Sequence, residues 1–163
     1  MTISDLASIE ALEQQNPDPF KDLTSTYAMI EAGAAINPDA RALSFFVTAE
    51  TYQQPASWSY AEWLGDIRKT ANLFRRLGIE RTDVIAYVLP NLPETHITIW
   101  AGETAGIVFA VNSLLEGDSM RQLMENAKTK WIVTLAPTPN PEIWNRVEQA
   151  LTDWSNPSTK PQG

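Results

Sequence analysis

The chain reads as an α/β domain built on a partial parallel sheet with helices on both faces, and two observations predict it. Val84 to Leu89, Ile107 to Val111 and Trp131 to Leu135 are apolar runs without polar alternation, as expected of strands covered on both faces. Stretches with apolar residues at helical spacing precede, separate and follow them. Strands alternating with helices in this way imply parallel pairing through right-handed crossovers.

Taken in chain order, Ser4 is a candidate cap for a short helix whose apolar stripe is Leu6, Ile9 and Leu12, and Asn16-Pro17-Asp18-Pro19 stops it. Acids interspersed with that stripe make it a solvated helix face rather than an interaction arm. A second helix is expected from about Ser25 to Ile36, presenting Tyr27, Ile30 and Ala34, before Asn37-Pro38-Asp39 turns the chain. Leu43 to Val47 reads as a strand.

Ser59-Tyr60-Ala61-Glu62 fits a capping box, in which the serine oxygen accepts from the first turn and the glutamate reaches back. Tyr60, Trp63, Leu64, Ile67, Ala71, Phe74 and Leu77 follow at helical spacing, and Gly78 suits the left-handed position that closes such a helix. The next helices are expected over Pro93 to Ala105, Ser119 to Ala127 and Pro141 to Leu151. Gly102 lets a helix approach the sheet closely, and Gly106 ends that helix. Residues 1–40 are then a helical leader, 41–152 the α/β subdomain and 153–163 a linker or truncated tail, with no core former from Ser155 to Gly163.

Size and composition bound the chemistry. A chain of 163 residues can bury about 68–70% of the surface it exposes when unfolded, enough for a real core. With no cysteine, disulfides, thiolate-bound zinc and a cysteine nucleophile are all excluded. A net charge of −8 has the wrong sign for nucleic acid or an anionic membrane surface. Much of it lies in residues 1–55, where eight acids face only Lys21 and Arg41. No apolar run approaches the roughly 20 residues of a membrane span, and no targeting segment is visible, so a cytoplasmic location is expected.

Ligands of open parallel sheets bind where strands end and helices begin. The segments there, Pro90-Asn91-Leu92-Pro93-Glu94, Asn112 to Asp118 and Pro137 to Glu142, contain no Gly-rich phosphate cradle. Each places a carboxylate, Glu94, Asp118 or Glu142, near the helix start, where it repels the phosphate such an end would otherwise attract. His96, the single histidine, lies outside any nucleophile or zinc motif and reads as a partly exposed packing residue. Of the six tryptophans, Trp63, Trp100, Trp131 and Trp144 fall on expected core positions, leaving Trp58 and Trp154 as candidate exposed aromatics. No catalytic, cofactor-binding or metal-ligating residue is assigned.

Four segments in register then resemble one family: Ser59 to Glu62, Ala71 to Gly78, Asp83 to Glu94, and Ala105 to Leu115 with Gly106 and Asn112. In order and spacing they are similar to the N-terminal part of the acyl-adenylate-forming (AMP-binding) ligases, most closely the fatty-acyl-CoA synthetase branch. Ser59, Tyr60, Glu62, Gly78, Asp83, Pro90, Asn91, Pro93, Glu94, Gly106 and Asn112 carry the resemblance, and it implies structural roles for them. Thr82 stands where the family often has Gly, and Ser113 where Pro is common.

The resemblance further implies a parent enzyme of fatty acid metabolism that joins a carboxylic acid to AMP and passes the acyl group to coenzyme A. ATP, Mg²⁺ and coenzyme A would serve that parent and bind downstream of the matched region. The chain itself would be an inactive scaffold piece whose partner is the remainder of the synthetase. A second reading is a stand-alone α/β interaction domain, docking on a partner protein through apolar surface left exposed by absent sheet neighbours.

Overall fold

The computed structural model describes residues 3, 5–15, 20–137, 141–152, 154, 160 and 161. The elements run α1 (Leu6–Gln15), α2 (Thr26–Ile36), β1 (Arg41–Phe45), a single 3₁₀ turn (Ala49–Thr51), β2 (Ala56–Ser59), α3 (Tyr60–Arg76), β3 (Val84–Val88), α4 (Pro93–Ala105), β4 (Ile107–Ala110), α5 (Gly117–Asn126), β5 (Thr129–Thr134) and α6 (Glu142–Thr152). The expected Ser4 cap, the 16–19 stop and most of the 153–163 tail lie outside the described residues.

The sheet has three parallel strands in the order β4-β3-β5. Each strand alternates its side chains between two cores, which is why none of them alternates apolar with polar. Ile85 joins Ile67, Ala71, Phe74, Ile79, Ala101 and Ala105 on the α3/α4 face, with Trp131 and Val133 packed against that group. Ala86, Val88 and Ile132 turn the other way, toward Met120 and Met124 of α5 and Val147 and Ala150 of α6. Trp154 is buried in this second core, 7% exposed. The expectation of an exposed Trp154 is corrected, because its indole belongs to the apolar cluster that Val88, Met120 and Val147 form on this face.

Most predicted boundaries stand within two residues, and the differences have local causes. The first strand covers Arg41–Phe45 rather than Leu43 to Val47, because β2 sets its register through the antiparallel pairs Leu43↔Trp58 and Phe45↔Ala56. This hairpin is a separate two-stranded sheet, and β2 is too short to carry a pattern of its own. Val47 is consequently 82% exposed. α5 starts at Gly117, with Glu116 as its N-cap residue, two residues ahead of the expected Ser119.

Two helix ends show how backbone chemistry was and was not legible. Gly78 closes α3 with φ 83°, as its lack of a Cβ allows. After α5 the left-handed position is held by Lys128 at φ 54°, a conformation unusual for a residue with a side chain. Thr82 is not among the described positive-φ residues, so losing the family glycine there imposes no such strain.

α1 buries none of its residues, and Leu6 (68%), Ile9 (41%) and Leu12 (45%) face solvent. α2 is docked on the domain body, with Ile30 packed against the α3/α4 core. Arg68 of α3 ties it down by donating to the Tyr27 hydroxyl at 2.7 Å and to Glu31 at 2.6 Å. No helix among the described residues is long and apolar enough to cross a membrane.

Candidate functional site

The motif residues gather at the two ends of the sheet and at the start of α3, and they do not converge on one point of chemistry. At the amino end, the Asp83 carboxylate accepts from the Lys130 ammonium at 2.6 Å and from the Glu80 amide at 2.7 Å. Lys130 also donates to the Gly78 carbonyl at 2.9 Å. One lysine thus joins the α3 turn, the loop before β3 and the start of β5. Gly106 sits against the same loop, where a Cβ would lie 2.7 Å from the Asp83 carbonyl oxygen. Sequence reasoning missed Lys130, since nothing local marks a lysine whose partners lie 47 and 52 residues away.

The Lys130 hydrogen bond, followed by the Glu80 amide, holds the Asp83 carboxyl below its ordinary value of 3.8. A lowered carboxyl contributes stability that is fully present above that ordinary value and is lost as pH falls through the lowered one. Lys130→Met is expected to cost about 1 kcal/mol at neutral pH, a figure reduced by the lysine's partial exposure. Urea titrations at pH 7 and at pH 2.5 check it. The difference between wild type and variant should shrink at the acid pH, and an undiminished gap would show that the lysine acts through its stem alone.

At α3, the Ser59 hydroxyl accepts from the Glu62 amide at 3.2 Å while Glu62 accepts from the Ser59 amide at 2.9 Å. This reciprocal pairing is the capping box read from sequence, and it holds Glu62 below its ordinary carboxyl value. Tyr60 meets Trp63 edge-on at 6.4 Å, and Trp63 meets Trp100 likewise at 6.2 Å.

At the carboxyl end, Pro93 occupies the first turn of α4, where its missing N–H is not needed. Thr95 donates its hydroxyl to the Pro90 carbonyl, and His96 pairs with the Asn91 side chain at 3.1 Å. Asn112 accepts from the Leu114 amide at 2.9 Å, an Asx turn, and Arg146 donates to the Ser113 carbonyl at 3.0 Å. These side chains are occupied in shaping their own loops.

Glu94, Asp118 and Glu142 each stand in the first turn of their helix. The three helix starts therefore present carboxylates where a nucleotide phosphate would need positive potential, and they do not fit ATP. Among the described residues, no group of three or more His, Asp or Glu comes together in a way that could hold a metal ion. The residues of this chain are accordingly assigned no chemical step on either group.

Of the concavities among the described residues, two border β5. A cleft of about 550 Å³ lies between the ends of β3 and β5, lined by Leu89, Leu92 and Leu135, with Phe45 and Trp58 of the hairpin as its aromatic wall. A larger groove of about 770 Å³ follows the outer edge of β5, between Leu73 of α3 with Leu77 just after it and Trp144 and Leu151 of α6. Among the described residues β5 pairs with β3 alone.

The class follows from the backbone: this is the α/β fold of the N-terminal domain of acyl-CoA synthetases. The chain superposes on a Mycobacterium tuberculosis fatty acyl CoA synthetase with TM-score 0.66 and 19% identity, covering 85% of this chain and 25% of that one. For the N-terminal domain of FACL13 from Mycobacterium tuberculosis the TM-score is 0.67 at 18% identity, covering 86% and 33%. The chain belongs to the AMP-binding enzyme family, whose sequence model matches residues 30–161.

Curated relatives agree with that membership. The marinolic acid–CoA ligase of Pseudoalteromonas sp. (strain SANK 73390) is 30% identical over 144 residues, which are 88% of this chain and 22% of that protein. The crotonobetaine/carnitine–CoA ligase of Salmonella arizonae is 37% identical over 106 residues, 64% of this chain and 20% of that protein. The chain thus spans about a fifth of the length of these relatives.

Proposed function

We propose that the chain is the first part of an acyl-CoA ligase that activates a carboxylic acid as its acyl-adenylate at the expense of ATP and then transfers the acyl group to coenzyme A. The observation that carries this reading is the family match over residues 30–161, together with relatives that are themselves CoA ligases. The chain's own residues supply scaffold: Ser59, Tyr60 and Glu62 start α3, Gly78, Asp83 and Gly106 anchor the amino end of the sheet, and Pro90, Asn91, Pro93, Glu94 and Asn112 shape its carboxyl end. Acid-lined helix starts support an inert role for this part, with ATP, Mg²⁺ and coenzyme A held elsewhere in a complete ligase. The setting expected for it is the cytoplasm, and fatty acids are the substrate class the resemblance favours.

ATP–pyrophosphate exchange tests the division of labour. The purified chain is expected to show none with fatty, aromatic or small carboxylic acids, and turnover by this chain alone would overturn the scaffold reading. A stand-alone interaction domain is not favoured by the comparisons.

A further inference from the structure

We infer that the cleft at the carboxyl ends of β3 and β5 is a binding site for a small organic ammonium, held against the rings of Phe45 and Trp58 with the Glu94 carboxylate as its counter-ion. The ligase reading does not call for such a site, and its evidence is the lining of the cleft itself.

The hairpin supplies the aromatic wall. Its register pairs Leu43 with Trp58 and Phe45 with Ala56, which puts Phe45 and Trp58 on one face as diagonal neighbours across the two strands. Both rings are half-buried and line the cleft, and neither belongs to the two cores of the sheet. Trp58 is also outside the edge-on contacts that join Tyr60, Trp63 and Trp100. A cation placed over such rings is attracted by their negative faces, most strongly by that of tryptophan.

The place in the fold suits a small ligand. β3 leads to α4 on one face of the sheet and the neighbouring β5 leads to α6 on the other. Connections that leave adjacent parallel strands on opposite faces part at the strand ends, and open sheets bind their ligands in the crevice formed there. The cleft volume of about 550 Å³ lies within the roughly 300–1,000 Å³ usual for small-molecule sites.

Charge then selects a cation. Leu89, Leu92 and Leu135 keep the cleft apolar, and Glu94 carries the one charge among its described lining residues. Glu94 is exposed in the first turn of α4 and enters none of the ion pairs among the described residues. It also borders a smaller hollow with Lys69, but that ammonium is held by Asp66 at 2.9 Å. Thr134 is engaged as well, donating to the Val88 carbonyl at 3.3 Å. A carboxylate without a cation beside an aromatic wall repels carboxylates and phosphates. It suits an ammonium whose methyl groups tolerate the loss of water.

Choline and its uncharged isostere 3,3-dimethylbutanol provide the test, each titrated into the isotope-labelled chain and followed by amide and indole N–H shifts. Choline is expected to give saturable shifts at the Trp58 indole and at the amides of Leu89, Leu92 and Leu135, with the isostere binding at least about tenfold more weakly. Glu94→Gln should weaken choline about threefold, and the gap from wild type should narrow in high salt. Trp58→Leu should weaken it about tenfold.

No saturable shift, equal binding of the isostere, or shifts centred away from the cleft overturn the inference. So does choline binding that Glu94→Gln and Trp58→Leu both leave unchanged, since the ligand would then sit elsewhere. The isostere comparison uses the unaltered chain, so it decides the matter even where a Trp58 variant fails to fold.

Discussion

Replacing Ile85 with alanine is expected to lower the unfolding free energy by about 4 kcal/mol, read as a shift of the urea midpoint at unchanged slope. Ile85 lies on the central strand with none of its surface exposed, enclosed by Ile67 and Phe74 from α3 and Ala101 from α4. Removing three carbons there leaves a cavity that two helices and both neighbouring strands must close together, so the lost transfer free energy is joined by the lost packing. Ile36, at 87% exposed, is the matched control, and its alanine variant should stay within about 0.5 kcal/mol of wild type. A loss below about 1 kcal/mol at Ile85 would show that the α3/α4 core is looser than its burial indicates.

Gly102→Ala is expected to cost about 3 kcal/mol by overpacking. A Cβ at Gly102 would overlap Cγ2 of Val108 and lie 3.7 Å from Cδ1 of Ile85. Val108 is β-branched and stiff at χ1, so it cannot swing aside cheaply, and α4 would have to lift off β4. Truncating the neighbour should recover part of the loss: the Gly102→Ala, Val108→Ala double variant is expected to be at least about 1 kcal/mol more stable than the sum of the two single effects. Strict additivity in that cycle would place the damage in the helix rather than at the contact. No single side-chain truncation can relieve Gly106→Ala in this way, because two of its nearest atoms are the backbone oxygens of Asp83 and Glu80.

These two residues also mark the limits of reading the chain directly. Gly102 was legible as a point of close approach, since a glycine within a helical pattern needs such a reason. Its partner Val108 was not, because the contact depends on how α4 crosses β4. The capping box at Ser59 and the terminating Gly78 were legible because their chemistry is completed within a few residues. The hairpin partner β2, the burial of Trp154 and the Lys130 bridge were not, because each is defined by residues distant in the chain. Lys128 in the left-handed region ran against the expectation of Gly or Asn at a helix end, so propensity there gave way to the path into β5.

From the amino acids alone came the α/β class, the alternation of strand and helix, the absence of sulfur chemistry, and carboxylates at the helix starts, all set by local composition and period. The family resemblance came the same way, from four segments in fixed order. The tertiary structure decided the strand order β4-β3-β5 and the division of apolar residues between two cores. Period-two burial shows that a strand has two faces, but it does not say which strand lies beside it. That choice is made by helices crossing the sheet with one hand, and only the assembled fold records it.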